Sequence, residues 1–265
     1  MKYIIIFLIS FVYSGFWSQS WVKEKVLTLK DSSHSWTSDE WGQLYQWKDN
    51  SVWFLQDLNS TYFQQTFKSL GQISSLQPIN GLRSFIFAEN QQLLGILDNT
   101  LEVKDGFLAF YDFNLSNITR IAKSARPDFI WLFDAYRERL ILFNINTLEI
   151  TQIVDNCFEG LAENQIINFF EYGQNLICLL SDGRVFKFDQ NLTLISKDSI
   201  ASEKQIFGFQ NELWLLDSDT LYPLNSQWKY PPIVLPTPSF DDIQILQEHL
   251  YLQHGSKIDV FSLKM

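Results

Sequence analysis

Carboxylates are the first residues to weigh as chemistry. Asp57, Asp98, Asp134, Asp182, Asp189 and Asp217 close or follow short apolar runs along the chain. Two of them brought together could serve as the acid and base of a glycosidase. Their placement argues for turns instead, because each stands at an equivalent point of a recurring unit. Asp and Asn there bond nearby backbone and tolerate tight turns. Equivalent points of a repeat lie far apart in a ring, so no two of these residues are marked as partners. Of the three histidines, His34, His249 and His254, the last two are five apart. Strand alternation would put them on opposite faces. The chain has no His or Cys cluster at metal-ligand spacing, no Gly-x-Ser-x-Gly elbow and no Gly-rich phosphate loop. No catalytic residue, metal or cofactor is expected, and the sequence reads as that of a non-enzyme.

Aromatic residues are the stronger signal, at 16% of the chain with 9 Trp, 10 Tyr and 23 Phe. Trp53, Trp131 and Trp214 sit inside apolar runs and read as core. Trp36 and Trp41 lie in the polar stretch Ser35-Trp-Thr-Ser-Asp-Glu-Trp41, where burial is less easily achieved. Trp228 and Tyr230 precede Pro231-Pro232, and prolines point to an edge strand or a loop. Exposed aromatics beside charges have the composition of interface anchors, and they also suit sugar stacking. Trp36, Trp41, Trp228 and Tyr230 are therefore the candidate partner-binding residues.

The elements that must position these side chains are short strands. Apolar runs alternate with polar turns, and no stretch has helical periodicity. Second strands of the units are read at Leu44–Asp49, Phe85–Glu89, Ile130–Asp134, Ile177–Asp182, Trp214–Asp217 and Leu250–Gln253. Third strands follow at Val52, Leu93, Leu140, Val185, Leu221 and Ile258, the first five spaced by about 42 residues on average, the length of a four-stranded propeller blade. Fourth strands are expected at Ser60–Phe67, Thr100–Lys104, Leu148–Val154, Leu192–Lys197 and Trp228–Leu235. The sixth unit runs out of chain at Lys264 before a fourth strand, and Val22–Leu29 offers one. The expected fold is all-β, a propeller of six four-stranded blades closed by the N-terminal strand, which removes an open sheet edge. Residues 106–118 fit least well and read as a long connection between the second and third blades.

Residues 1–18 have the order of a secretory signal: Lys2, an eleven-residue apolar run from Tyr3 to Tyr13, then small and polar residues. The apolar run is too short to span a bilayer, which needs roughly 20 residues. Cleavage falls between 14 and 18, leaving a single domain over 19–265, exported and without a membrane span. Two cysteines, Cys157 and Cys178, would permit one disulfide in such a compartment, but Cys178 lies in the apolar run Leu176–Leu180 and also suits a core position. The formal net charge of -10, with no basic run, excludes nucleic acid as a partner.

The segment from Leu70 to Leu101 resembles the first blade junction of a group of exported six-bladed propeller proteins from bacteria with type IX secretion. Ile96-Leu-Asp-Asn-Thr-Leu101 and Phe188-Asp-Gln-Asn-Leu-Thr193 are similar to its recurrent strand-turn-strand motif. The resemblance implies a periplasmic protein that docks on an outer-membrane barrel, as the plug or accessory subunit of a secretion translocon. It carries over no functional residue. The alternative reading from the aromatic loops and scattered carboxylates is a carbohydrate-binding or carbohydrate-active propeller.

Overall fold

Six antiparallel sheets of four strands stand in a ring, and nearly every described residue outside the turns is in a strand. The computed structural model describes residues 20–55, 63–158, 166–201, 204–224, 230–246 and 249–264. The expected signal segment 1–18 and Trp228 therefore lie outside the described residues.

The first strand, β1 (Ser20–Thr28), belongs to the last blade. Blade 1 is β2 (Ser35–Ser38), β3 (Leu44–Lys48), β4 (Ser51–Leu55) and β5 (Phe63–Thr66). Blade 2 is β6 (Ser75–Asn80), β7 (Arg83–Ala88), β8 (Leu93–Asp98) and β9 (Val103–Ala109). Blade 3 is β10 (Ile118–Lys123), β11 (Phe129–Asp134), β12 (Arg139–Asn144) and β13 (Glu149–Val154). Blade 4 is β14 (Ile166–Tyr172), β15 (Asn175–Leu180), β16 (Arg184–Phe188) and β17 (Leu194–Ser199). Blade 5 is β18 (Gln205–Phe209), β19 (Glu212–Asp217), β20 (Thr220–Pro223) and β21 (Ile233–Val234). Blade 6 has β22 (Asp242–Leu246), β23 (His249–His254) and β24 (Lys257–Lys264), with β1 completing it on the outside.

Middle strands are mostly apolar because each blade is covered on both faces by its neighbours. Along β11, Trp131 and Phe133 pack toward blade 4, while Ile130 and Leu132 pack toward blade 2. Similar clusters fill the other junctions. Outer strands such as β17 are largely exposed. The turns after third strands carry the expected chemistry. Asp98 Oδ1 accepts the amides of Thr100 and Glu102 at 2.8 and 3.0 Å, and Asp189 Oδ1 those of Asn191 and Thr193, both at 2.8 Å. Hydrogen bonds from Thr100 hold the Asp98 carboxyl below its ordinary value. The chain then turns through Leu101 and Leu192 at φ of 64° and 60°, each burying its side chain.

Two features differ from the sequence expectation. Residues 106–118 are not one long connection, and the fourth strand of blade 2 is not confined to Thr100–Lys104. Strand β9 runs on to Ala109, with Ile96 opposite Lys104 but Leu94 opposite Leu108. The extra residues form a bulge in which Asp105 and Gly106 have φ of 60° and 84°, so a pair that reads as a turn is a kink within a strand. Phe107 folds in against Gly95, whose missing Cβ leaves the room. A single 3₁₀ turn at Phe110–Phe113 then leads to β10.

Closure follows the expectation, with one addition. Strand β1 pairs antiparallel with β24, Trp21 opposite Leu263 and Leu27 opposite Ile258, and a bulge interrupts the register between Lys23 and Lys25. The bulge switches which face the odd-numbered residues occupy. Trp21 consequently packs toward blade 5, stacking on Phe209 at 6.0 Å and donating its Nε1–H to the Val234 carbonyl at 3.0 Å. Leu27 instead enters the junction with blade 1 beside Trp36 and Val260. One strand thereby fastens both neighbours of the last blade.

Candidate functional site: the channel mouth

The inner strands β2, β6, β10, β14, β18 and β22 surround the axis of the ring, with their outward neighbours taking one backbone edge each. The edge facing the axis needs other partners. Polar side chains reach across to the next blade and supply several of them. Gln77 donates Nε2–H to the Ile121 carbonyl at 2.8 Å and accepts from the Lys123 amide at 3.1 Å. Arg120 Nε donates to the Ile166 carbonyl at 2.9 Å, Asn168 Oδ1 accepts from the Ile206 amide at 3.3 Å, and Gln244 Nε2 donates to the Trp36 carbonyl at 2.6 Å.

Within this ring lies an open cavity of about 780 Å³, reaching the end where each inner strand turns into its second strand. Asp39, Glu40, Asn80, Lys123, Glu171 and Tyr172 line it, each at or just past the end of an inner strand. Apolar walls come from Phe170, Phe207 and Ile245. Three of the described lining residues carry carboxylates and one, Lys123, carries a cation.

Asp39 is 4% exposed. Its Oδ1 accepts the amides of Trp41 and Gln43, both at 2.9 Å, and so shapes the β2–β3 turn. Its Oδ2 is buried without a partner. Burial pushes the Asp39 carboxyl above its ordinary value, against the pull of those amides. Across the ring on blade 4, Glu171 Oε2 accepts from Ser124 Oγ at 2.8 Å, from the Ala125 amide at 3.1 Å, and from Trp131 Nε1. Its Oε1 is likewise buried and unpartnered.

On the rim, Trp41 is 59% exposed and lies flat on Gly81, where a Cβ would fall 2.0 Å from the ring. Leu82, next in sequence, is 56% exposed. Both are exposed apolar side chains, Trp41 from blade 1 and Leu82 from the β6–β7 turn of blade 2 that Trp41 covers.

The four aromatics singled out from the sequence separate here. Trp36 is a core residue, 2% exposed, with Nε1 donating to Gln253 Oε1 at 2.6 Å. Its polar sequence neighbours misled because β2 is an inner strand whose face is covered by blade 6. Only Trp41 of the described pair in that stretch reaches solvent. Tyr230 is half-buried, packed 6.1 Å from Trp214 in the junction of blades 5 and 6, and does not line the cavity. Asp39, Glu40, Lys123 and Glu171 were not singled out from the sequence. The available signal was position alone, immediately before each readable second strand.

The other chemically notable residues serve the framework. Asp134 and Arg139 form a buried ion pair at 2.9 Å, and Asp182 and Asp217 pair with Arg184 and Lys204, both at 2.7 Å. His34 stacks on Trp53 at 4.5 Å, and burial lowers its pKa. Both cysteines are free thiols: Cys178 is buried, and Cys157 donates to the Glu138 carbonyl at 3.2 Å. Burial pushes the Cys157 thiol up to about 12 and Cys178 well above its ordinary value. Among the described residues no three of His, Cys, Asp and Glu are grouped to hold a metal ion, and no helix is long and apolar enough to cross a membrane.

No protein-family model and no curated protein matches the chain by sequence. Solved structures match it in fold. Virginiamycin B lyase from Staphylococcus aureus is 10% identical, with 93% of this chain and 100% of that one covered and a TM-score of 0.59. The Pan2 WD40 domain of Neurospora crassa is 8% identical, with 91% and 95% covered and a TM-score of 0.59. PorZ, a surface component of the type IX secretion system of Porphyromonas gingivalis, is 11% identical over 92% of this chain and 39% of its own, with a TM-score of 0.48. At such identities the likeness concerns the fold, and fold does not specify function. The chain is a six-bladed β-propeller.

Proposed function

We propose that this chain is a non-enzymatic, exported protein-binding propeller of the periplasm that docks through the channel-mouth end of its ring. The carrying observation is the pair of exposed apolar side chains, Trp41 on Gly81 and Leu82, next to a mouth rich in carboxylates. Exposed aromatic anchors within a polar rim are the usual form of a binding hot spot. The polar side chains deeper in the channel are engaged in holding blades together, which supports a binding rather than a catalytic role for this end. In its finer form the reading is an accessory or plug subunit of a type IX outer-membrane translocon, with the barrel protein as partner. That form rests on the resemblance of residues 70–101.

A mild-detergent pull-down of tagged protein from its native envelope tests both forms. Wild type should retain a very large outer-membrane barrel protein in stoichiometric amount, and Trp41→Ala should reduce recovery at least tenfold. Recovery of the propeller alone would sink stable docking. A different retained protein would keep the docking reading and remove the translocon. One observation favours a second reading, carbohydrate binding: the open face of Trp41 stands beside a mouth lined by Asp39, Glu40 and Asn80. A glycan array carrying wild type and Trp41→Ala separates the two.

A further inference from the structure

Six strands form the outer edge of the ring, and five of them carry a feature that hinders the addition of a further strand. Bulges interrupt β1 between Lys23 and Lys25, β9 opposite Leu94 and Ile96, β13 opposite Leu142 and Phe143, and β17 opposite Lys187 and Phe188. Strand β21 is two residues long and stands between Pro231-Pro232 and Pro236. Strand β5 is the exception among the described residues. Its four residues run opposite Ser51 to Phe54 without a shift, carry no charge and are all exposed. The Phe67 amide that follows donates inward to the Asn50 carbonyl at 2.8 Å, so by alternation Gln64 and Thr66 turn their N–H and C=O groups outward. The side chains of this edge stop short as well. Toward blade 2, Tyr45, Phe54 and Phe63 form a ladder of rings across β3, β4 and β5, at centroid distances of 4.7 and 6.4 Å. Tyr45 and Phe54 are buried, whereas Phe63, the last rung, is 53% exposed. On the other face Lys30 stands 4.9 Å over the Trp53 ring and donates to Gln64 Oε1 at 3.4 Å. Lys30 belongs to no ion pair among the described residues, and the exposed Lys68, two residues beyond β5, adds a second cation. In a chain of net charge -10 this edge is locally positive.

We propose that β5 is a docking edge for an extended segment of a partner polypeptide, which pairs antiparallel with it and adds a fifth strand to blade 1. Gln64 and Thr66 exchange backbone hydrogen bonds with that segment, and the side chains opposite β5 give the specificity. An aromatic residue opposite Phe63 continues the ring ladder, since directly opposed side chains stand roughly 4.5–5.5 Å apart. A carboxylate opposite Gln64 meets Lys30. Antiparallel pairing makes these two consecutive, so the recognised segment is an acidic residue followed by an aromatic one. The edge belongs to the outer strand of blade 1 and not to the channel mouth, so this inference goes beyond docking at the mouth and does not rest on it.

The test is an NMR titration of the isotope-labelled whole mature chain with a capped Thr-Val-Glu-Phe-Thr peptide, which sets Phe opposite Phe63 and Glu opposite Gln64. Binding should shift the amides of Gln64 and Thr66 most. N-methylation of the peptide's Glu removes one ladder hydrogen bond and should weaken binding at least tenfold. Thr66→Pro deletes an outward N–H that an edge strand can spare, so the variant should keep the far-UV circular dichroism of wild type and lose at least tenfold in affinity. The N-methyl comparison needs no variant, and it decides the matter if Thr66→Pro fails to fold. Replacing the peptide's Glu by Gln should weaken binding at least threefold to wild type and leave binding to Lys30→Met unchanged. No binding at millimolar peptide, indifference to N-methylation, or shifts centred on another blade would overturn the proposal. Sedimentation of the chain alone covers the other occupant of such an edge. A dimer that Thr66→Pro dissolves would give β5 to a second copy and overturn the partner reading, whereas a monomer is the expected result.

Discussion

Removing the Trp21 side chain should cost far more stability than deleting Glu24, and the two losses should simply add. Glu24 is the bulge residue of β1, exposed, and paired at 3.2 Å with His249 on the surface. Without it residues 20–23 and 25–28 pair with β24 in unbroken alternation, so Trp21 stays opposite Leu263 on the face toward blade 5. What is lost with the Trp21 side chain can be summed from the structure. Half-burial of an indole hides roughly 100 Å², about 2.5 kcal/mol at 25 cal/mol per Å². The Phe209 stack at 6.0 Å and the Val234 hydrogen bond at 3.0 Å each add about 1 kcal/mol. Residual structure in the unfolded chain lowers such sums, so about 3 kcal/mol is expected. For a domain of this size that corresponds to about 6–12 °C in Tm. Urea unfolding followed by far-UV circular dichroism would measure it in four proteins: wild type, Trp21→Ala, the Glu24 deletion and the double variant. Glu24→Ala serves as control and should change stability by less than about 0.5 kcal/mol, because exposed ion pairs contribute little. The double variant should lose the sum of the two single losses in this cycle. A loss of about 3 kcal/mol for the Glu24 deletion alone would show that residues 20–23 do not re-pair with β24 in that register, and the account of closure would fall.

Three further outcomes are expected. Asp39→Asn should stabilise the fold at neutral pH. The raised carboxyl releases its proton later in the folded than in the unfolded chain, so wild-type stability falls as pH rises from the ordinary 3.8 through the raised value. The gap between variant and wild type should open over that window and close below it, and a gap that widens toward acid would refute the burial argument. Trp131→Phe removes a donor from Glu171 and should cost about 2 kcal/mol in urea unfolding, with Glu171→Gln adding less in that background than alone. Neither Cys157 nor Cys178 should react with an aromatic disulfide reagent at pH 8 until urea unfolds the protein, since burial keeps both protonated. A rapid native-state titration of Cys178 would contradict its place in the junction of blades 3 and 4.

Much of the ring was legible because its middle strands bury both faces. Phe129–Asp134 and Arg139–Asn144 are apolar almost without break, and an Asp or Asn follows where the chain must turn through a left-handed residue such as Leu101 or Leu192. These patterns are local, and repeated six times they set the blade number. The missing fourth strand of blade 6 could be found by counting, since β1 was the one run left over. What position along the chain could not decide was anything that depends on a neighbour. Trp36 and Trp41 stand five residues apart in one polar stretch, yet one is buried against blade 6 and the other lies on Gly81 in solvent. Asp105-Gly106 has the composition of a turn, but the packing of Phe107 against Gly95 makes it a bulge. Asp39 and Glu171 are 132 residues apart in number and share a cavity only because blades 1 and 4 face each other across the ring. Local sequence determines strands and turns through short-range sterics and hydrogen bonds, whereas exposure, face and the meeting of distant carboxylates arise only when the six blades close.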